Sequence, residues 1–136
     1  MVQRPSGLGV NEGRLAQCPT TPNCINSQSD DPDYSMDPIP FNVPADQTIP
    51  LITSFLNSLP RVEVIEISNL YVAAVFRSKL IGYPDDVEFL MDQDKKLIHF
   101  RSASRIGVSD LGVNRKRMSQ LTQDLYPIIN PATTTE

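Results

Sequence analysis

The chain of 136 residues is 40% hydrophobic and 21% charged, a balance typical of a globular domain rather than a disordered chain. Its net charge of −4 argues against general nucleic-acid binding, which needs a basic surface. No apolar run approaches the ~20 residues of a membrane span, and the N-terminus lacks the apolar region of a signal peptide. As written, the sequence predicts a cytoplasmic protein; a lumenal or periplasmic location is the alternative if a leader has been removed.

Proline usage separates an N-terminal segment from the rest of the chain. Nine of the twelve prolines lie in residues 1–60, and little periodicity is present before about residue 46. Residues 1–45, here called the arm, are expected to be irregular but packed on the domain, because their apolar residues are too numerous for a linker. Residues 46–130 are expected to form the core and residues 131–136 a frayed tail.

The core begins and ends with helical patterns. Apolar residues recur at helical spacing over residues 48–59, and Pro60 ends this helix. Pro50 is tolerated there only in a first turn. A second helix is predicted over residues 113–126, with Pro127 following it.

Four segments with strand chemistry lie between the helices, at residues 62–68, 71–78, 86–92 and 97–104. Alternation assigns their apolar side chains to one face, which consists of Ile65, Ile67, Val72, Ala74, Phe76, Val87, Phe89, Met91, Ile98 and Phe100. This face should pack on the two helices. The predicted fold is a single α+β domain, with a four-stranded, mainly antiparallel meander sheet, two helices on one face, and the irregular proline-rich arm in front.

Cys18 and Cys24 flank five residues that include two prolines. The prolines lower the entropy cost of closing a small loop, so a disulfide is favoured; two inert thiols and redox or metal chemistry are the alternatives. The spacing differs from the Cys-x-x-Cys redox motif. A structural zinc site generally needs four ligands, and the single histidine, His99, lies in a distant strand, so neither a metal nor another cofactor is predicted.

The segment from Arg101 to Arg117 joins the last strand to the last helix and carries five cationic side chains and two glycines. Such junctions present backbone donors on a rigid scaffold. Three of the cations, Arg115 to Arg117, fall in what should be a first helical turn, where they oppose the helix dipole. Either carboxylates or an anionic ligand must therefore compensate them.

Two interpretations of these arginines follow. The first is a non-catalytic binding module for a small anionic ligand or a protein partner, since guanidinium groups bind carboxylates and phosphates at two points. Its candidate ligand-binding residues are Arg77, Arg101, Ser104, Arg105, Asn114 and Arg115. The second is a structural ion-pair network in which carboxylates occupy the arginines. Its candidate acids are Asp85, Asp86, Glu88 and Asp110.

Two further functions use other residues. Adjacent carboxylates on a strand point to opposite faces, so Asp86 and Glu88 can cooperate as an acid–base pair in a hydrolase or isomerase, with the arginines clamping the substrate. His99 has no nucleophile specified beside it, and an ordinary surface or hydrogen-bonded role is expected. In the remaining alternative, the arm forms the partner surface of a structural or assembly factor.

Four blocks of the sequence are distinctive: Arg4–Val10, Cys18–Gln28, Asp85–Phe89 and Arg101–Arg115. Together they resemble the family known as domain of unknown function 1499, which occurs in bacteria and in plastid-bearing eukaryotes. The resemblance covers about residues 4–126. It implies one domain and an origin in a photosynthetic lineage. It carries no activity with it, so function is inferred from the residues themselves.

Overall fold

The computed structural model describes residues 3–106 and 112–132. Within these ranges the chain forms a single α+β domain of two helices and six strands. The helices are α1 (Ala45–Asn57) and α2 (Val113–Ile129). The strands are β1 (Cys24–Asn26), β2 (Ile39–Pro40), β3 (Val62–Ile67), β4 (Tyr71–Arg77), β5 (Pro84–Asp92) and β6 (Leu97–Ser104).

The strands form one antiparallel sheet in the order β1-β6-β5-β4-β3, with β2 also paired to β6. The predicted count of four strands is wrong, because two short segments of the arm, β1 and β2, join the sheet. These segments have 3 and 2 residues, too few to show the alternation that identifies a strand in a sequence. Their pairing covers the edge that β6 would otherwise expose.

Helix α1 begins at Ala45 rather than at the predicted residue 48, with Pro44 at its N-cap. Pro50 therefore lies inside the helix and not in its first turn. Its ring is exposed, so water can bond the carbonyl that loses its N–H partner there. The buried side of the helix carries Thr48, Ile49, Ile52 and Leu56.

Helix α2 continues through Pro127 to Ile129, so the prediction that Pro127 follows the helix is wrong. Ile129 is fully buried in the core, which holds the last turn against the sheet. The Asn130 side chain then caps that turn, because its Nδ2 donates to the carbonyls of Tyr126 (3.1 Å) and Pro40 (2.7 Å). These contacts offset the hydrogen bond that a proline removes from a helix.

One sheet face and the two helices enclose the main core. Its sheet residues include Val72, Ala74, Val87, Phe89, Met91, Ile98 and Phe100. Strand β3 departs from the predicted pattern, because Ile65 is 37% exposed whereas Val62 and Val64 pack against the core. A register shift between Val64 and Glu66 inserts an extra residue at Ile65. Ile67 pairs with Val72 on the helix side, but it lies at the rim of an open groove and is 58% exposed.

The early part of the arm covers the other face of the sheet. Leu15 packs with Tyr71, Ala73 and Leu90 in a second, smaller buried cluster. Strands β5 and β6 are consequently buried along nearly their whole length. Polar side chains on this arm-covered face are therefore removed from water and need partners within the protein.

Candidate functional site

Three carboxylates of β5 lie on the two faces of the sheet. Asp85 contacts the helix side, whereas Asp86 and Glu88 contact the arm side, as alternation along a strand requires. Their exposed fractions are 7%, 3% and 0%. Carboxylates buried this deeply need cations or hydrogen-bond donors.

On the helix side, Arg117 pairs with Asp85. Its Nη2 donates to Asp85 Oδ2 at 2.7 Å, and its guanidinium carbon lies 5.3 Å from the ring centre of Phe76. Arg117 is close to the start of α2, where a cation opposes the helix dipole. Asp85 is thus one of the compensating carboxylates that the sequence required.

Asn114 connects the start of α2 to the end of β6 and is fully buried. Its Oδ1 accepts hydrogen bonds from the Ser102 hydroxyl (2.5 Å) and from Arg117 Nη1 (2.8 Å). Its Nδ2 donates to the Asn23 carbonyl (3.1 Å) and to Ser104 Oγ (3.2 Å). Asn114 therefore fastens the helix to β6 and to the segment just before β1.

On the arm side, Arg105 and Asp86 form a two-point ion pair. The distances from Arg105 Nε to Asp86 Oδ2 and from Nη2 to Oδ1 are both 2.9 Å. This is the geometry in which guanidinium and carboxylate groups match best. The side chains are 7% and 4% exposed, so the pair is shielded from solvent.

Glu88 lies fully buried beneath the arm. Its Oε1 accepts hydrogen bonds from the Tyr71 hydroxyl (2.5 Å) and from the Gly9 backbone N–H (2.9 Å), and Arg4 Nη2 is 3.9 Å away. Burial and the bond to Glu88 raise the pKa of Tyr71, so its phenol stays protonated as the donor. Glu88 Oε2 accepts no hydrogen bond within the described residues, and Arg101 Nη1 lies 3.9 Å from it.

Arg101 holds the arm to the sheet through only part of its guanidinium group. Its Nε donates to the Ala16 carbonyl at 2.9 Å, and its Nη2 lies 3.4 Å from the Gln17 carbonyl. Nη1 makes no hydrogen bond to residues 3–106 or 112–132, and its ion-pair contact with Glu88 is long. Burial lowers the pKa of Arg101, although Glu88 and Asp86 act in the opposite direction.

A pocket of about 270 Å³, here called the Arg101 pocket, lies between the arm and the sheet. Asp86, Arg101, Ser104 and Arg105 line it from β5, β6 and the residue after β6. The arm contributes Pro5, Leu8, Pro19 and Thr21. Two cations against one carboxylate give these lining side chains a positive balance.

Cys18 and Cys24 form a disulfide with an S–S distance of 2.05 Å, which confirms the favoured interpretation. The loop that it closes carries Pro19 and Thr21, both of which line the Arg101 pocket. Cys24 itself lies opposite Ala103 in the pairing of β1 with β6. The disulfide therefore fixes one wall of the pocket to the sheet.

The structure places the remaining predicted ligand residues away from the Arg101 pocket. Arg77 is exposed at the end of β4, where its Nη1 is 3.5 Å from the Gly82 carbonyl. Arg115 donates to the backbone carbonyls of Ser35 (3.0 Å) and Asp33 (3.2 Å). Asp110 lies outside the described residues.

Sequence reasoning missed the arm's part in the site. Arg4 donates to Glu66 Oε1 and to the Tyr71 hydroxyl, both at 2.9 Å, and Gly9 bonds Glu88 directly. These partners are more than sixty residues apart, and no periodicity links positions so distant. The block Arg4–Val10 is distinctive in the sequence, but it carries no signal that identifies its partner strands.

Other depressions differ from the Arg101 pocket in charge. One, of about 1000 Å³, lies along α1 with Asp46 as its charged side chain. A second, about 700 Å³, contains Asp92, Asp94 and His99. Among the described residues, no group of three or more His, Cys, Asp or Glu side chains is placed to hold a metal ion. The described helices include none with the length and apolar character needed to cross a bilayer.

No curated protein and no solved structure matches this chain. The sequence profile of a family described as "Protein of unknown function (DUF1499)" matches residues 14–125. This match contains the disulfide loop, the carboxylates Asp85, Asp86 and Glu88 of β5 and the arginines from Arg101 to Arg117, and it begins after the Arg4–Val10 block. The chain therefore belongs to the DUF1499 family.

Proposed function

We propose that this domain binds a small anionic ligand in the Arg101 pocket. The observation that carries the proposal is the buried guanidinium of Arg101, whose Nη1 makes no hydrogen bond to a described residue and lies 3.9 Å from Glu88 Oε2. An unused guanidinium donor in a water-poor site favours an anion, because charge-assisted hydrogen bonds strengthen when solvent is excluded.

The size and charge of the pocket support a small ligand. Its volume of about 270 Å³ is at the lower limit of ordinary ligand pockets. A phosphate or a short carboxylate fits that volume. The positive balance of the lining side chains distinguishes this pocket from the larger depressions, whose charged residues are mostly acidic.

The other two functions have weaker support. A general base must reach its substrate, yet Glu88 is fully buried and Asp86 is held at two points by Arg105. An assembly factor would use the arm as a separate partner surface. Here β1 and β2 of the arm belong to the sheet, and Leu15 belongs to a buried cluster.

Isothermal titration with inorganic phosphate and with citrate at low ionic strength tests the proposal. Pro19 and Pro22 give a matched pair of variants, because both are exposed in the disulfide loop and only Pro19 lines the pocket. Pro19→Glu should weaken binding about fivefold or more through charge repulsion, and Pro22→Glu should change it little. Equal effects of the two variants would contradict the proposal.

Substitution of the arginine itself completes the test. Arg101→Gln should abolish phosphate binding, whereas Arg77→Gln at an exposed position should leave it unchanged. Both variants would first be checked for cooperative unfolding. Undiminished binding by a folded Arg101→Gln protein would refute the proposed function.

A further inference from the structure

The loop between β4 and β5, residues 78–83, exposes three apolar side chains. Leu80 is 93% exposed, Ile81 67% and Tyr83 48%. Single exposed apolar residues are common on protein surfaces, but a cluster of them at one tip marks an interaction site. Neither the fold nor the Arg101 pocket makes use of these side chains.

The loop has a defined shape. Ser78 Oγ accepts hydrogen bonds from the backbone N–H groups of Gly82 (3.0 Å) and Tyr83 (2.9 Å), and the Ser78 N–H donates to the Tyr83 carbonyl (3.0 Å). Gly82 has a φ of +81°, which favours glycine. The turn therefore holds Leu80 and Ile81 at its apex instead of letting them fold back on the sheet.

Cations surround this apex. Arg77 and Lys79 flank it in sequence, and Arg61 is adjacent because its carbonyl accepts the Arg77 N–H at 3.0 Å. All three side chains are exposed, and none forms an ion pair with a described residue. Among the described residues, an exposed acid nearby is Glu63 on β3.

Within residues 3–106 and 112–132, two further acids near this end of the sheet are neutralised internally, because Asp85 pairs with Arg117 and Asp86 with Arg105. The loop end is thus locally basic, although the whole chain has a net charge of −4. Charge at this end therefore complements an anionic partner.

We propose that the β4–β5 loop docks the domain on an anionic lipid surface. Leu80 and Ile81 would enter the boundary between headgroups and acyl chains, Tyr83 would lie at headgroup depth, and Arg61, Arg77 and Lys79 would contact lipid phosphates. A narrow apolar apex surrounded by cations fits a lipid surface better than a protein groove, because the cations require no shape-matched acceptors. This inference is independent of the anion pocket.

Vesicle cosedimentation tests the inference, with phosphatidylcholine alone and with about one third phosphatidylglycerol. The wild-type protein should sediment with the mixed vesicles and not with phosphatidylcholine alone. Leu80→Ser combined with Ile81→Ser should lower partitioning about tenfold or more. Lys79→Gln should lower it about fivefold, since one cation near the surface contributes roughly that factor.

Matched controls lie on turns at the opposite end of the sheet. Leu70, 41% exposed, lies between β3 and β4, and Lys95 lies between β5 and β6. Leu70→Ser and Lys95→Gln should partition like the wild type. Absence of wild-type binding to anionic vesicles, or equal loss in the control variants, would overturn the inference. So would a loop variant that loses only self-association in sedimentation velocity, because the loop would then contact a second copy of the chain.

Discussion

Glu88 and Arg101 lie directly opposite each other on β5 and β6, yet their charged groups approach no closer than 3.9 Å. Each instead bonds to the arm or to β4: Glu88 accepts hydrogen bonds from the Gly9 N–H and the Tyr71 hydroxyl, and Arg101 donates to the Ala16 carbonyl. The arm therefore completes this charge pair.

Glu88→Gln should lower the free energy of unfolding by about 3 kcal/mol, because it leaves the buried Arg101 cation without its facing charge. Urea unfolding measures the change. Glu66→Gln is the matched control, since Glu66 also pairs with the arm through Arg4 but is half exposed. It should cost less than about 0.5 kcal/mol. Equal losses in the free energy of unfolding for the two variants would show that burial does not make the Glu88–Arg101 pair more important for stability.

Asn114→Ala should lower the free energy of unfolding by about 3 kcal/mol, because it removes the buried hydrogen bonds that the Asn114 side chain makes with Ser102, Asn23 and Arg117. Chemical denaturation again provides the measurement. Gln120→Ala, at an exposed position of the same helix, should stay within about 0.5 kcal/mol of the wild type. A small effect at Asn114 would mean that water readily replaces this network.

Stability should fall in mild acid because of His99. Burial lowers the pKa of His99 below its ordinary value of 6.5, so the unfolded chain binds this proton more readily than the folded protein does. Well above pH 6.5 the ring is neutral in both states and contributes no pH dependence. As the pH falls through that value, protonation of the unfolded chain lowers stability until the folded-state pKa is reached.

The Ser27 hydroxyl lies 3.1 Å from His99 Nδ1 and accepts the Phe100 N–H at 2.8 Å. This arrangement suits a neutral ring that accepts the hydroxyl proton. His99→Gln should therefore flatten the decline in melting temperature between about pH 7 and pH 5. An unchanged slope would assign the acid sensitivity to other groups.

Reduction of the disulfide should lower the free energy of unfolding by about 2 kcal/mol, as expected for a short loop. It should also weaken phosphate binding, because the loop carries Pro19 and Thr21 of the pocket wall. Thermal melts and titrations with and without reductant measure both effects. A Cys18→Ser, Cys24→Ser protein serves as the control and should not respond to reductant. Full phosphate affinity in this variant would show that the disulfide does not contribute to phosphate binding.

The elements that could be predicted from the sequence are those long enough to show a regular spacing of apolar residues. Strands β4 to β6 and both helices lie close to their predicted positions because each repeats its apolar residues over several turns or alternations. Strands β1 and β2 are too short for this signal, and the extra residue at Ile65 disturbs the alternation in β3. Pro127 was misleading because Ile129 and Asn130 stabilise the helix beyond it.

The candidate site was predictable only within the sheet. Alternation places Asp86 and Glu88 on one face, and their paired residues on β6 are Ala103 and Arg101. The partners from the arm depend on contacts across more than sixty residues, for which a single sequence has no local signal. Arg77 and Arg115 were grouped with the site because of their charge, but they lie elsewhere.

A crystal structure of the protein soaked in selenate tests whether the Arg101 pocket holds an anion, because selenate is an oxyanion with an anomalous signal. We expect an anomalous peak in the Arg101 pocket, with a selenate oxygen about 3 Å from Arg101 Nη1. The peak should disappear in the Pro19→Glu protein and on competition with phosphate. A pocket that stays empty while selenate occupies other surface positions would contradict the claim, and Arg101 would then serve only to hold the arm on the sheet.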